Sequence, residues 1–253
     1  MKILVTAKRV TDYDSKITPT SDGKGIDFSD VDFKMNPFCE IAVEEAVKIS
    51  ENVDDVEILV VAIGEDEAKK EVKTALAMGA HRGLLIECEE EELDSDLVAR
   101  LLVKVCEEEE PDMVLLGKQA VDGDSNQVGQ LMAEYLGWPQ ATFAYKVELE
   151  GEEAATVMRE VDGGVETVQL SFPAVITTDL RLNTPRYTSL ANIMKAKRKP
   201  LETMEPDDYD IEVDEEGKIE VVGYSLPAER QAGQIVGSVD ELLEKLASEA
   251  KVI

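Results

Sequence analysis

Five runs rich in Val, Ile and Leu punctuate about the first 180 positions, at residues 3–7, 56–63, 83–87, 112–116 and 174–178. Each is nearly continuous in apolar residues, which predicts strands covered on both faces. Amphipathic segments separate them. Residues 37–50 carry Ile41, Val43, Ala46, Val47 and Ile49, with Pro37 suited to a first helical turn. Residues 65–78 end at Gly79, a natural left-handed stop. Residues 95–107 gather Leu97, Val98, Leu101, Leu102 and Val105, and residues 125–136 gather Val128, Leu131, Met132 and Tyr135 before Gly137. This alternation predicts an α/β fold with a doubly wound, mostly parallel sheet and right-handed crossovers.

The pattern changes near residue 143. Segments 143–149, 154–161 and 165–171 show partial strand alternation, separated by Glu150-Gly151-Glu152 and Asp162-Gly163-Gly164, which read as hairpin turns. A small antiparallel addition is therefore expected before the Pro173 strand. After Leu180 the periodicity dissolves through Arg181-Leu182-Asn183-Thr184-Pro185-Arg186-Tyr187 into a basic helix candidate at 191–199. An acidic, turn-rich stretch then precedes a final helix at 239–250. The expected division is an α/β domain over 1–180 and an extended arm over 181–253. The arm has no core of its own, so it leans on its own domain or on a partner chain.

Charge removes several function classes. The chain has 26 Lys+Arg against 55 Asp+Glu, a net charge of −29. Such a chain repels phosphate backbones and anionic lipid, so neither nucleic acid nor membrane insertion is expected. The acidic runs 89–92, 107–110 and 207–216 read either as solvated faces or as steering toward a cationic partner, and composition does not separate the two. No apolar run approaches the ~20 residues of a membrane span, and Met1 to Lys8 is too short for a signal peptide. Cys39, Cys88 and Cys106 form neither a closed disulfide framework nor a C-x-x-C zinc spacing, which fits a reducing, cytoplasmic setting.

His81 is the sole histidine, so His-pair metal sites and Ser-His-Asp machinery are not expected. It lies between a helix and the next strand, where capping a connection is its expected role. No metal site and no catalytic residue is assigned, and any chemistry falls to a bound cofactor.

The most informative loop follows the 112–116 strand: Gly117-Lys118-Gln119-Ala120-Val121-Asp122-Gly123-Asp124-Ser125-Asn126-Gln127-Val128. It runs from a strand's carboxyl end into a helix N-terminus, where open α/β sheets bind ligands. Gly117 and Gly123 are expected to permit unusual backbone angles, and Asp124 or Ser125 to act as the N-cap. The loop reads either as a mononucleotide or phosphate site or as a plain turn and cap. Thr6-Ala7-Lys8-Arg9-Val10 and Ala62-Ile63-Gly64 are expected at the same crevice, with Met35-Asn36-Pro37-Phe38-Cys39-Glu40 opening the first helix there. Cys39 reads as a tuned thiolate or as a small packing residue.

Several segments resemble the electron transfer flavoprotein β-subunit family. They are Asp12-Tyr13, the run from Met35 through Glu40-Ile41-Ala42-Val43-Glu44-Glu45-Ala46, Thr74-Ala75-Leu76-Ala77-Met78-Gly79-Ala80, the loop 117–129, and Asp179-Leu180-Arg181-Leu182-Asn183 through Ile193-Met194-Lys195-Ala196-Lys197. The resemblance covers essentially the whole chain. It implies a Rossmann-like fold of the adenine nucleotide α-hydrolase type and a heterodimer with an α subunit that holds most of the FAD. It implies AMP in this subunit, contacted by Thr6, Asn36, Pro37, Phe38, Cys39, Ile63 and residues 117–128. Tyr13 and Phe38 would approach the flavin, whereas taken alone each reads equally as a packing residue. Residues 184–199 match the family's dehydrogenase-docking loop, with Leu190 as apolar anchor; the cations Lys195, Lys197, Arg198 and Lys199 read either as solvated surface or, against a net charge of −29, as a docking patch. The implied donors are flavin dehydrogenases such as those of fatty acid oxidation, and the implied acceptor is a quinone reductase. A prokaryotic member would be cytoplasmic, and a mitochondrial one would need a targeting segment not seen here.

Two departures bear on the ligand. Thr6 and Ile63 stand where some relatives have Ala and Cys, which backbone contacts to the ligand would tolerate. Gly123 stands where AMP-binding relatives carry Asp, and Gly there also occurs in electron-bifurcating members whose β subunit holds a second FAD. The rivals to an AMP-binding carrier are therefore that bifurcating subunit and a free-standing nucleotide-binding, stress-type domain.

Overall fold

The computed structural model describes residues 1–89, 92–213, 221–230 and 232–253. Parts of two acidic runs, 90–91 and 214–216, thus lie outside the described residues. In chain order the strands are β1 (Lys2–Thr6), β2 (Arg9–Thr11), β3 (Thr18–Pro19), β4 (Ile26–Asp27), β5 (Phe33–Met35), β6 (Glu57–Gly64), β7 (Arg82–Glu87), β8 (Met113–Gly117), β9 (Gln140–Glu150), β10 (Ala154–Val161), β11 (Gly164–Ser171), β12 (Ala174–Thr178) and β13 (Leu201–Met204). The helices are α1 (Pro37–Asn52), α2 (Lys69–Met78), α3 (Ser95–Glu109), α4 (Val128–Leu136), α5 (Leu190–Ala196) and α6 (Val239–Lys245).

Nine strands form one sheet in the order β11-β10-β9-β12-β8-β1-β6-β7-β13. All pairings from β9 across to β13 are parallel, and β9, β10 and β11 form the antiparallel addition. The continuous apolar strands are explained by two cores. Ile3, Val5, Ile58 and Val60 face one core with Ala42, Val43, Ala46 and Val47 of α1 and Val72, Ala75 and Leu76 of α2. Leu4, Leu59, Val61 and Val114 face the other with Leu101, Leu102 and Val105 of α3 and Met132 of α4. Successive residues point to opposite faces, so covering both leaves no polar alternation.

The winding reverses beside β1. The chain adds β6 and β7 on one side of β1, then returns through α3 to place β8 on the other. The carboxyl ends of β1 and β8 therefore flank a topological switch point, where such sheets open a crevice.

By internal contacts the chain divides into two units, residues 1–17 with 28–221, and residues 18–27 with 222–253. The first holds the sheet and α1 to α5. The second comprises the β3–β4 hairpin, where Tyr224 N–H donates to the Gly23 carbonyl at 2.8 Å, and α6.

Several boundaries differ from the sequence pattern for local reasons. The helix expected from Ser125 starts at Val128, because Asp124 and Asn126 both take left-handed φ of 50°. The segment expected from residue 65 is a 3-10 turn at Asp66–Ala68 followed by α2. The final helix ends at Lys245 and continues as a π-turn over Leu246–Ala250. The periodicity lost after Leu180 hides β13, which is too short to show a period yet extends the sheet beyond β7. His81 serves a connection: its Nδ1 accepts from Ile58 N–H at 2.9 Å, and its own N–H donates to the Ile58 carbonyl.

Candidate functional site

Asn36 organises the crevice. It precedes α1, with Pro37 in the first turn, and is only 1 % exposed. Its backbone N–H donates to the Lys8 carbonyl at 2.8 Å. Its Nδ2 donates to the Gln119 carbonyl at 2.9 Å, and its Oδ1 accepts from Val121 N–H at 3.3 Å. One buried asparagine, through its backbone N–H and its side-chain amide, thus joins the segment after β1, the start of α1 and the loop after β8. A buried amide on this scale is tolerated because its polar atoms are paired.

Gly117 permits the close approach that this stitching needs. A Cβ there would stand 2.6 Å from Phe38 Cβ, 3.0 Å from the Phe38 backbone carbon and 3.2 Å from Asn36 Nδ2. Gly117 and Gly123 do not take left-handed angles, contrary to the sequence reading. Those angles fall to Asp124 and Asn126, residue types that tolerate them. Gly123 is exposed, and a Cβ there would touch only Ser125 Oγ at 3.7 Å.

The remaining expected residues sort by burial. Thr6, half-buried at the end of β1, lies with Oγ1 3.9 Å from Cys39 Sγ, and Asn36 Nδ2 is 3.4 Å from that sulfur. Cys39 is buried among these partners, as the packing reading requires. Ile63 is half-buried two positions beyond Val61, the residue paired with Thr6. Phe38 is buried, whereas Tyr13 is 62 % exposed with Lys34 Nζ 3.4 Å above its ring. Lys34 also pairs with Asp12 at 2.8 Å, and that bond is the chief cause holding the Asp12 carboxyl below its usual range.

The caps are informative. Asp94, Ser189 and Ser238 cap α3, α5 and α6 through their side chains. Neither Asp124 nor Ser125 caps α4; its N-cap is Gln127, which makes no side-chain cap bond. The N–H groups of the first turn of α4 therefore lack the usual side-chain acceptor. In the same turn Gln130 Nε2 donates to Asn126 Oδ1 at 3.0 Å, while Gln130 Oε1 is buried with no hydrogen-bond partner among the described residues. The donor set and the orphaned acceptor suit a polar ligand with an anionic group and a donor edge.

The sequence named Lys118 but not the pairing that holds it. Lys118 Nζ donates to Asp179 Oδ2 at 2.8 Å and lies 5.4 and 5.0 Å from the ring centres of Phe38 and Phe143. Burial alone would raise the Asp179 pKa, but Arg181 and Lys118 outweigh it and hold the carboxyl at about 2. Phe143 takes φ of 60°, and its N–H donates to Thr177 Oγ1 at 3.0 Å. Arg159 braces this irregularity of β9 through the carbonyl and hydroxyl of Thr142. The register shifts that mark it leave no periodic signal.

Residues 25–209 match the family model of the electron transfer flavoprotein domain. The chain is 50 % identical over its full length, and the relative's, to electron transfer flavoprotein subunit beta of Bradyrhizobium diazoefficiens. The chain belongs to the electron transfer flavoprotein β-subunit family. The mitochondrial β subunit of Arabidopsis thaliana is 49 % identical over the whole of both chains. The Homo sapiens β subunit is 48 % identical over 97 % of this chain and 96 % of its own. Membership in the electron transfer flavoprotein family gives the chain an electron-carrier role rather than a catalytic one, and associates it with flavin or nucleotide.

The expected docking residues lie apart from the crevice. Leu190 opens α5, which packs against α2, and is 76 % exposed. Lys195, Lys197 and Arg198 are exposed as well. Lys199 does not join them: its Nζ donates to the Leu76 and Ala80 carbonyls at the end of α2. Among the described residues no helix is long and apolar enough to cross a membrane, and no cluster could hold a metal ion.

Proposed function

We propose that this chain is the β subunit of a heterodimeric electron transfer flavoprotein whose crevice holds AMP as a structural ligand. The observation that carries the reading is the convergence at the switch point of the Asn36 stitch, the uncapped start of α4 and the partnerless Gln130 Oε1. Backbone N–H groups at a helix start suit a phosphate. Thr6, Asn36, Pro37, Phe38, Cys39, Ile63 and residues 117–128 would hold the nucleotide, with the left-handed φ at Asp124 and Asn126 shaping the loop around it.

FAD, held mainly by the α subunit, supplies the redox chemistry when bound. This chain would add Tyr13 and Phe38 to the flavin's surroundings and present α5 to flavin dehydrogenases, with a quinone reductase as acceptor. The names of the relatives, all β subunits, support an α partner. One observation favours a second reading, FAD in place of AMP: the open space at Gly123, which leaves room for a larger ligand.

The test is anaerobic reduction of the purified αβ complex by an acyl-CoA dehydrogenase and its substrate. Bleaching of the flavin absorbance is the expected result. A chain that elutes alone in the presence of the α subunit, with no flavin, would return the reading to a free-standing nucleotide-binding domain.

A further inference from the structure

We infer that residues 183–199 form a strap pinned at both ends to present α5 preformed, and that Arg186 and Asn183 are its positioning residues. The inference rests on the reading of α5 as the dehydrogenase-docking element.

The upstream pin is built on α1. Arg186 donates to Glu44 from its backbone N–H at 3.1 Å, from Nε at 2.8 Å and from Nη2 at 3.0 Å. The same guanidinium reaches Glu51 at 2.6 and 3.0 Å. Asn183 Nδ2 donates to Glu45 Oε2 at 2.9 Å and to the Ile41 carbonyl at 3.0 Å. Glu44 and Glu45 are each only 5 % exposed. A helix that buries two adjacent carboxylates does so at a cost unless they are paired; Arg186 supplies the cation for Glu44, while Glu45 is shared between Asn183 and Lys48 of α1, whose Nζ stands 3.0 Å from it.

The downstream pin is built on α2 and the sheet edge. Ala196 is buried, and Lys199 Nζ serves the carbonyls that α2 leaves open at its C-terminus. The Pro200 carbonyl then accepts from Gly83 N–H at 2.9 Å as β13 joins β7.

Between the pins, α5 has seven residues, too few to persist without outside support. Yet Tyr187, Leu190, Ile193 and Met194 all stand exposed. The strap therefore holds its apolar face outward by construction. Lys195, Lys197 and Arg198 beside it, on a chain of net charge −29, define the complement as a protein pocket that is apolar with an acidic rim. Ordering the segment in advance removes a cost that docking would otherwise carry.

The experiment compares αβ complexes carrying Arg186→Leu, Arg186→Lys and Leu190→Ala, using steady-state transfer from the dehydrogenase, flavin content and amide hydrogen exchange. Arg186→Leu should raise the dehydrogenase KM about tenfold at unchanged kcat and flavin content, with faster exchange over 187–196. Arg186→Lys should recover part of the loss, since it keeps charge without the fork. A raised KM in Leu190→Ala beside an unchanged KM in Arg186→Leu overturns the pins alone. An unchanged KM in Leu190→Ala overturns the docking reading beneath them. If Arg186→Leu fails to assemble, Glu51→Gln removes only the exposed partner and should shift KM and exchange in the same direction; no shift in either overturns the proposal.

Discussion

The crevice and the strap are held by different physics. At the crevice, one buried asparagine and the missing Cβ of Gly117 bring three segments into contact through uncharged, part-buried hydrogen bonds. At the strap, ion pairs on α1 and a lysine on α2 hold a segment whose middle faces solvent. The contrast suits the two tasks proposed for this chain. A ligand site that must keep its shape is fixed by close packing, which salt does not screen. A transient docking element is fixed at its ends and left open between them.

The largest effect should come from closing the approach at Gly117. Gly117→Val puts carbon where Phe38 backbone already stands, and overpacking of this kind costs about 1–3 kcal/mol or more. Thermal unfolding should shift down and AMP content fall together, whereas Gly123→Ala should stay within about 0.5 kcal/mol of the parent. Equal tolerance at the two glycines would break the comparison at its crevice end. Asn36→Leu comes next. It strands the Val121 N–H and the Gln119 carbonyl, a loss of about 1–3 kcal/mol, read by urea unfolding and nucleotide retention.

Leu190→Ala should act on the other region only. It should raise the dehydrogenase KM about tenfold, ~1.4 kcal/mol, with AMP, FAD and unfolding midpoint unchanged. A lowered midpoint with normal transfer per flavin would mean that Leu190 packs internally in the complex.

These contrasts also show what the sequence carried. The strands were legible because both faces are covered, so Ile3-Leu4-Val5 reads as one apolar run. The crevice segments were legible as strand ends and helix starts. What joins them was not: Asn36 reaches Gln119 across 83 positions, and Asn183 reaches Glu45 across 138. No local pattern encodes such pairings. Burial of Glu44 and Glu45 was equally hidden, since a Glu-Glu pair on a helix reads as a solvated face.

A smaller effect sharpens the crevice further. The Asp179 carboxyl is held at about 2, below its ordinary 3.8, so its ionised form adds stability above that ordinary value. That contribution should fade as pH falls from about 4 to about 2. Asp179→Asn should therefore be less stable at neutral pH, with the gap to the parent closing over that window; a gap independent of pH would contradict the pairing with Lys118 and Arg181. Smallest of all, Lys197→Gln with Arg198→Gln should slow association with the dehydrogenase at low ionic strength, with the difference vanishing near 0.15 M salt, where the screening length is about 8 Å.

The crevice is proposed to carry a nucleotide in a carrier whose flavin belongs chiefly to the partner subunit. The direct measurement is acid release of nucleotides from the purified αβ complex, separated and quantified against protein. One FAD and one AMP per heterodimer are expected; two FAD and no AMP would overturn the proposal.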